Sequence, residues 1–305
     1  MLNKLDSNQN KAPACQAPDP LLKKPALRVG RGATDCHAHI CGPDAIYPFS
    51  PQRIYTPPDA LLPQYQSLLK TLGIDRAVLV QPSIYGDDNR ALLNALVSDP
   101  SHLRGVAVVN ANITDDYLEQ LHLAGVRGVR CNIVDLADAK GILPIDDLRY
   151  LADKIAPFGW HMEFLMHANE FPELNQMLKE FPVPIVLGHL GYIKTQHGVL
   201  DRGFQNLLAL MREGRAWVKL TGPYRISSFD QPPYPDTKVF AQALIQANPN
   251  QLVWGSDWPH VMVKGLMPND ADLLDLLLDW VPDARLRDKI LCENPARLYQ
   301  FFDIA

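Results

Sequence analysis

Apolar residues recur along the chain in short runs of strand length, and between those runs they recur every three to four positions. The runs are Ala33 to Ile40, Ala77 to Gln81, Gly105 to Asn110, Gly128 to Ile133, Trp160 to Met166, Pro184 to Gly188, Ala216 to Thr221 and Leu252 to Ser256. Most open on a Gly or Pro turn, as strands do. The amphipathic stretches between them predict helices over Ala60 to Leu72, Arg90 to Val97, Asp115 to Leu123, Ile145 to Ala156, Glu173 to Phe181, Phe204 to Glu213 and Thr237 to Ala247. A further helix is expected to run through Trp280 with Asp270 as its N-cap, and Ala284 to Leu291 and Pro295 to Phe302 read as closing helices.

Residues 1–32 break the cadence. They are rich in Pro, Lys, Asn and Gln without an apolar period, and predict a flexible or loosely draped extension ahead of a single domain over 33–305. Strands separated by single helices cannot be joined by hairpins, so they pair in parallel through right-handed crossovers. Eight such units predict an α/β fold of the (β/α)8 TIM-barrel type. An open doubly wound sheet is the alternative, but no Gly-X-Gly-X-X-Gly follows the first strand, and histidines stand where its phosphate-binding turn would be.

Composition agrees with one large core: 305 residues, 47% apolar and 21% charged. A net charge of -5 leaves no basic footprint for nucleic acid. No apolar stretch approaches the roughly 20 residues of a membrane helix. Polar residues occupy the place of a signal peptide's apolar run, so a cytoplasmic location is expected. Cys15, Cys36, Cys41, Cys131 and Cys292 are scattered and odd in number, which fits reduced thiols. The expected partner is a small molecule rather than nucleic acid or membrane, and a homo-oligomer stays open.

In such barrels the chemistry gathers where strands end at their C-termini. Strand 1 delivers His37 and His39, which share a face by alternation. Strand 2 delivers Gln81, followed by Ser83 and Tyr85, and strand 4 delivers Arg130 and Asn132. Strand 5 ends at His167, strand 6 at His189, strand 7 runs into Tyr224 and Arg225, and strand 8 stops at Asp257. His161 is expected at the barrel floor, and Glu163 shares a face with Leu165 and His167. The proline-rich stretch Tyr47 to Pro58, with Tyr55, is long enough to fold over the mouth. A carboxylate among imidazoles can activate water for attack on an ester carbonyl. Arginines can fork onto an anionic substituent.

Several of these segments together resemble the amidohydrolase superfamily: Asp35-Cys36-His37-Ala38-His39, the Tyr47 to Pro58 loop, Val80 to Ser83, Gly128-Val129-Arg130, Gly188 to Gly191, Lys219 to Arg225 and Trp254 to His260. Within it the chain is most similar to the 2-pyrone-4,6-dicarboxylate lactonases and their relatives acting on sulfomuconolactone and aldarolactones, over Ala33 to Tyr299. The resemblance implies a hydrolase of a cyclic ester serving aromatic-compound or sugar-acid catabolism. It assigns the hydrolytic carboxylate to Asp257, the histidines to His37, His39 and His189, and the anion-binding arginines to Arg130 and Arg225. Ser83, Tyr55, Tyr224, Asn132 and His167 are expected to make lesser substrate contacts. Leu136 stands where those lactonases have a second arginine, and Leu165 where they have a tyrosine.

Most of the superfamily is metal-dependent, whereas these relatives include lactonases that work without a metal. None is expected to be required here. A single zinc-like ion, if bound, would use His37, His39, His189 and Asp257. Three alternatives to a hydrolase of the 2-pyrone-4,6-dicarboxylate type stay open: a sulfomuconolactone or aldarolactone hydrolase, a metal-dependent decarboxylase of the same superfamily, and a barrel that binds an acidic small molecule without turning it over. A nucleophilic triad is disfavoured by the lack of Gly-X-Ser-X-Gly.

Overall fold

All eight expected strands form, each within two residues of its predicted start. A computed structural model describes residues 12–134 and 143–301. The strands are β1 (Thr34–Ala38), β2 (Arg76–Val80), β3 (Leu103–Ala107), β4 (Val126–Asn132), β5 (His161–Leu165), β6 (Ile185–Leu187), β7 (Ala216–Leu220) and β8 (Leu252–Trp254). They pair in parallel in chain order. The helices between them are α1 (Leu62–Leu72), α2 (Arg90–Ser98), α3 (Asp115–Leu123), α4 (Ile145–Ile155), α5 (Leu174–Leu178), α6 (Arg202–Arg212) and α7 (Lys238–Ala247). After the barrel come α8 (Asp270–Trp280), α9 (Ala284–Asp288) and α10 (Asn294–Leu298).

Local chemistry explains the boundaries. Helix α6 starts where the Asp201 carboxylate accepts from Gly203 N and Phe204 N, and it buries Phe204, Leu207, Leu208 and Met211 at helical spacing. Helix α8 departs from the expected cap: Asn269 accepts from Ala271 N, and Asp270, the first helical residue, is buried.

Two layers of apolar packing result. One lies between the strands and the helices. The other, with Val78, Val80, Val106, Val186, Trp217 and Val253 at alternate strand positions, is continued by Leu298, Tyr299 and Phe301 from the C-terminal segment. His161 belongs to this end, its ring edge-on to Tyr299 at 5.2 Å, and burial pushes its pKa down to about 4, so it is a neutral packing group.

The ring closes differently at one place. No β8–β1 ladder forms; instead the residues just beyond β8 reach β1. Asp257 N donates to His37 O at 2.8 Å, and His39 N donates to Trp258 O at 2.8 Å. The Asp35 carboxylate accepts from Ser256 N and Ser256 Oγ, and also from Tyr65 on α1 and His37 N. Gly255 is required at this crossing, since a Cβ there would lie 2.7 Å from that of His37.

Residues 12–32 lie against the domain at several points. Cys15 N donates to Thr56 O, and Ala26 N and Leu27 N both donate to the Asp275 carboxylate. Among the described residues no helix is long and apolar enough to cross a membrane.

Candidate active site

A cavity of about 480 Å³ opens at the C-terminal mouth of the barrel, lined by His39, Ser83, Arg130, His167, His189, Tyr224, Arg225 and Asp257. Ile54 and Tyr55 of the Tyr47 to Pro58 loop reach it as well. His37 lies just beneath, 1% exposed, with its Nε2 3.6 Å from Asp257 Oδ1. Asn132 does not line the cavity; its Oδ1 accepts from Val134 N. Leu165 is part of the wall, whereas Leu136 lies outside the described residues.

Asp257 is held from one side only. Its Oδ2 accepts from Arg225 Nε at 2.6 Å and from the Tyr224 hydroxyl at 2.6 Å. Its Oδ1 is buried without a hydrogen-bond partner among the described residues and faces His37 Nε2 and His39 Nε2, at 3.6 and 3.9 Å. Burial alone would raise this carboxyl's pKa, but the Arg225 guanidinium holds it well below the usual carboxylate range. Arg225, expected at a substrate anion, therefore has its Nε on the carboxylate, and its Nη2 donates to Val261 O.

The backbone here is bent to purpose. Asp257, His189 and His260 all sit in the left-handed region, with φ of 69°, 51° and 60°. Non-glycine residues in sparsely populated backbone regions cost of order 1–3 kcal/mol each and cluster at functional sites. Gly222 makes room for them: a Cβ there would lie 2.8 Å from His189 Nδ1 and 2.9 Å from Asp257 Oδ2. Sequence reading carried His189 to the end of strand 6; it lies two residues beyond β6, in a tight turn.

The imidazoles are neutral groups with assigned faces. Burial pushes His39 and His189 well below the ordinary imidazole range, and burial with Lys219 lowers His37. His39 Nδ1 lies 2.7 Å from Val80 O and must donate to it, which leaves the Nε2 lone pair facing Asp257. His37 Nδ1 lies 3.2 Å from Lys219 Nζ and 3.4 Å from Glu163 Oε1. When Lys219 donates to Nδ1, Nε2 carries the hydrogen. When Nδ1 donates to Glu163, Nε2 is a lone pair.

Sequence reading missed that lower pair. Lys219 Nζ and Glu163 Oε2 lie 2.6 Å apart, 0% and 2% exposed, and Lys219 also donates to Cys36 O. The one signal was a lysine inside the apolar strand Ala216–Leu220, at the same parity as Trp217. It also missed His260 and Asp270 behind Tyr224, and Lys194 and Lys264 at the cavity rim.

Three buried groups, His37, His39 and Asp257, offer ligand atoms all within 4.8 Å of one another, so together they could hold a metal ion. His39 Nε2 and Asp257 Oδ1 fit as they stand; His37 fits in its Glu163-facing tautomer. His189 Nδ1, a third buried imidazole nitrogen beside them, has no hydrogen-bond partner among the described residues.

Arg130 is 8% exposed; its Nη1 donates to Gln81 O and its Nε has no partner among the described residues. His167 turns Nδ1 toward Tyr192 O at 2.8 Å, and Ser83 Oγ donates to the Tyr55 hydroxyl at 3.4 Å.

The chain as a whole is similar to known proteins. The chain is 39% identical over 285 residues to 2-pyrone-4,6-dicarboxylate hydrolase of Comamonas testosteroni, covering 90% of this chain and 92% of that protein. It is 35% identical over 297 residues to 4-sulfomuconolactone hydrolase of Rhizobium radiobacter, covering 97% and 99%. A crystal structure of an Agrobacterium tumefaciens protein superposes with a TM-score of 0.79 at 27% identity, over 90% of this chain and 98% of that one. The amidohydrolase family model matches residues 34–301, from the first residue of β1 to the last described residue. With barrel, histidine pair and strand-8 carboxylate in one frame, the chain belongs to the amidohydrolase family.

Proposed function

We propose that this protein is a lactonase: it opens the ring of a lactone carrying a carboxylate or sulfonate. The observation that carries the reading is Asp257 Oδ1, without a hydrogen-bond partner among the described residues, buried and turned toward imidazoles in a cavity that also holds Arg130. Water placed between Oδ1 and the histidines gives its proton to Oδ1, and the hydroxide formed attacks the ring carbonyl. His37 Nε2–H, in the tautomer set by Lys219, and His189 can donate toward the oxyanion that develops. Asp257 then returns the proton to the leaving oxygen. The related hydrolases just described support the substrate class.

Arg130 is assigned to the substrate's anionic group. Arg130→Met is expected to raise KM for an anionic lactone by the equivalent of roughly 2–4 kcal/mol, with less effect on a neutral one. Acid release at constant pH from 2-pyrone-4,6-dicarboxylate, 4-sulfomuconolactone and an uncharged lactone tests both points. If wild type opens none of the anionic rings, the lactonase reading is wrong, and an unchanged KM in the variant removes Arg130 from this role.

A bound divalent ion would supply Lewis-acid activation of water or carbonyl, held by His37, His39 and Asp257. We read it as dispensable, because Lys219 favours the His37 tautomer that donates rather than ligates, and the charge of Arg130 beside His39 opposes a cation. Activity is expected to survive exhaustive chelation. Loss reversed by zinc would overturn this and favour the rival that the same triad permits, a metal-dependent decarboxylase, which carbon dioxide release would reveal. A cytoplasmic location suits five cysteines that form no disulfide.

A further inference from the structure

Behind Asp257 lie two buried ionisable groups that the hydrolytic steps do not use. His260 Nε2 lies 3.0 Å from Asp270 Oδ1, and the two residues are 0% and 3% exposed. His260 Nδ1 lies 3.0 Å from the Tyr224 hydroxyl, which in turn lies 2.6 Å from Asp257 Oδ2. Helix capping does not account for Asp270, since Asn269 caps α8. Packing does not account for it either, because an apolar pair of similar size would avoid the desolvation cost of a buried carboxylate beside an imidazole.

We propose that His260 and Asp270 are positioning residues that act on Asp257 through Tyr224 and fix which carboxylate oxygen meets the water. Asp270 Oδ1 stands as acceptor to His260 Nε2, and a ring that carries its hydrogen there leaves a lone pair on Nδ1. Tyr224 then has one hydrogen and two acceptors, Asp257 Oδ2 and His260 Nδ1. While Asp257 is ionised, the shorter contact and the negative charge favour Oδ2. When Oδ1 takes the proton of the attacking water, Oδ2 becomes a poorer acceptor and the Tyr224 hydrogen turns to His260 Nδ1. One proton passes from water to Asp257: the water O–H bond breaks, the Oδ1–H bond forms, and the tyrosine hydrogen stays on its own oxygen and only changes acceptor. Arg225 Nε shares Oδ2 with Tyr224, and the tyrosine is the second donor that keeps this oxygen from water while the carboxylate is ionised, leaving Oδ1 to react.

The proposal rests on the lactonase reading for its kinetic test but not for its spectroscopic one. In the uniformly 15N-labelled full chain, His260 is expected to carry hydrogen on Nε2 and none on Nδ1. A hydrogen on Nδ1 overturns the proposal whatever the protein turns over. In a double-mutant cycle, Asp270→Asn is expected to lower kcat about 10- to 100-fold, on the scale set by misplacing a catalytic group, while KM moves less than about threefold. In the Tyr224→Phe background the same substitution should change kcat by less than about twofold, because the path to Asp257 is already cut. Equal losses in both backgrounds, or a loss that follows a lowered melting temperature, make Asp270 a fold element only and overturn the proposal. A wild-type protein that opens no lactone refutes the lactonase reading, and the nitrogen shifts still decide the His260–Asp270 arrangement.

Discussion

Replacing Asp257 by Asn is expected to lower turnover roughly 100- to 10,000-fold while an anionic lactone still binds. The size follows from the one-sided grip on this residue. Arg225 Nε and the Tyr224 hydroxyl both donate to Oδ2, so an amide in the same place sets its oxygen there and turns its NH2 toward His37 and His39. A donor then stands where the base stood. Pre-steady-state binding and turnover of the cognate lactone separate the two effects. Turnover within about threefold of wild type, well below the range for a general base, would remove Asp257 from that role. The same grip sets the pH response. With Arg225 holding the carboxyl well below its ordinary range, the acid limb of the rate profile should lie below about pH 4, the unperturbed value for Asp.

Lys219→Met is expected to destabilise the fold by ~3–5 kcal/mol, as removal of one partner from a buried pair does. Burial alone would raise the Glu163 carboxyl's pKa, yet Lys219 holds it well below the usual range. A folded-state pKa below the unfolded one means that the stabilisation is fully present above about pH 4.3 and is lost as pH falls through the folded value. Without Lys219 the sign reverses. The stranded carboxyl then titrates above its unfolded value, so the variant should be more stable in mild acid than at neutrality. Urea unfolding at pH 5 and pH 7.5 reads this directly. Adding Glu163→Leu to Lys219→Met should recover most of the loss, since no unpaired charge remains. If the single variant unfolds like wild type at both pH values, the pair is not structural.

The strands and helices were legible because burial writes its period into the sequence: α3 matches its predicted span, α8 ends at Trp280 as predicted, and every strand was found. His37, His39, His189, Arg130 and Asp257 were legible because polar groups at the ends of apolar strands have few structural reasons to be there. What escaped depends on partners far apart in the chain. Glu163 and Lys219 sit in separate strands, and only the barrel's curvature sets them against His37. Asp270 reads as a helix cap because Asp commonly serves as one, and the neighbouring Asn269 took the place. Arg225 reads as an anion clamp. The fold sets its Nε on Asp257 while the residue still lines the cavity, a contact between residues 32 positions apart.

The way the ring closes makes opening it and disarming the enzyme a single event. Asp257 N and His39 N donate across the join between the first and last strands, and Asp35 clasps Ser256 immediately before Asp257. A fluctuation that parts this join pulls Asp257 from its imidazoles, so a local opening suffices to disarm the site while the rest of the barrel stays folded. A substrate that touches both β1 and the residues after β8 works against that loss like a pin through a hinge. Evolution of new specificities in such a chain is therefore freest on the wall away from the join, where side chains can change without loosening the clasp.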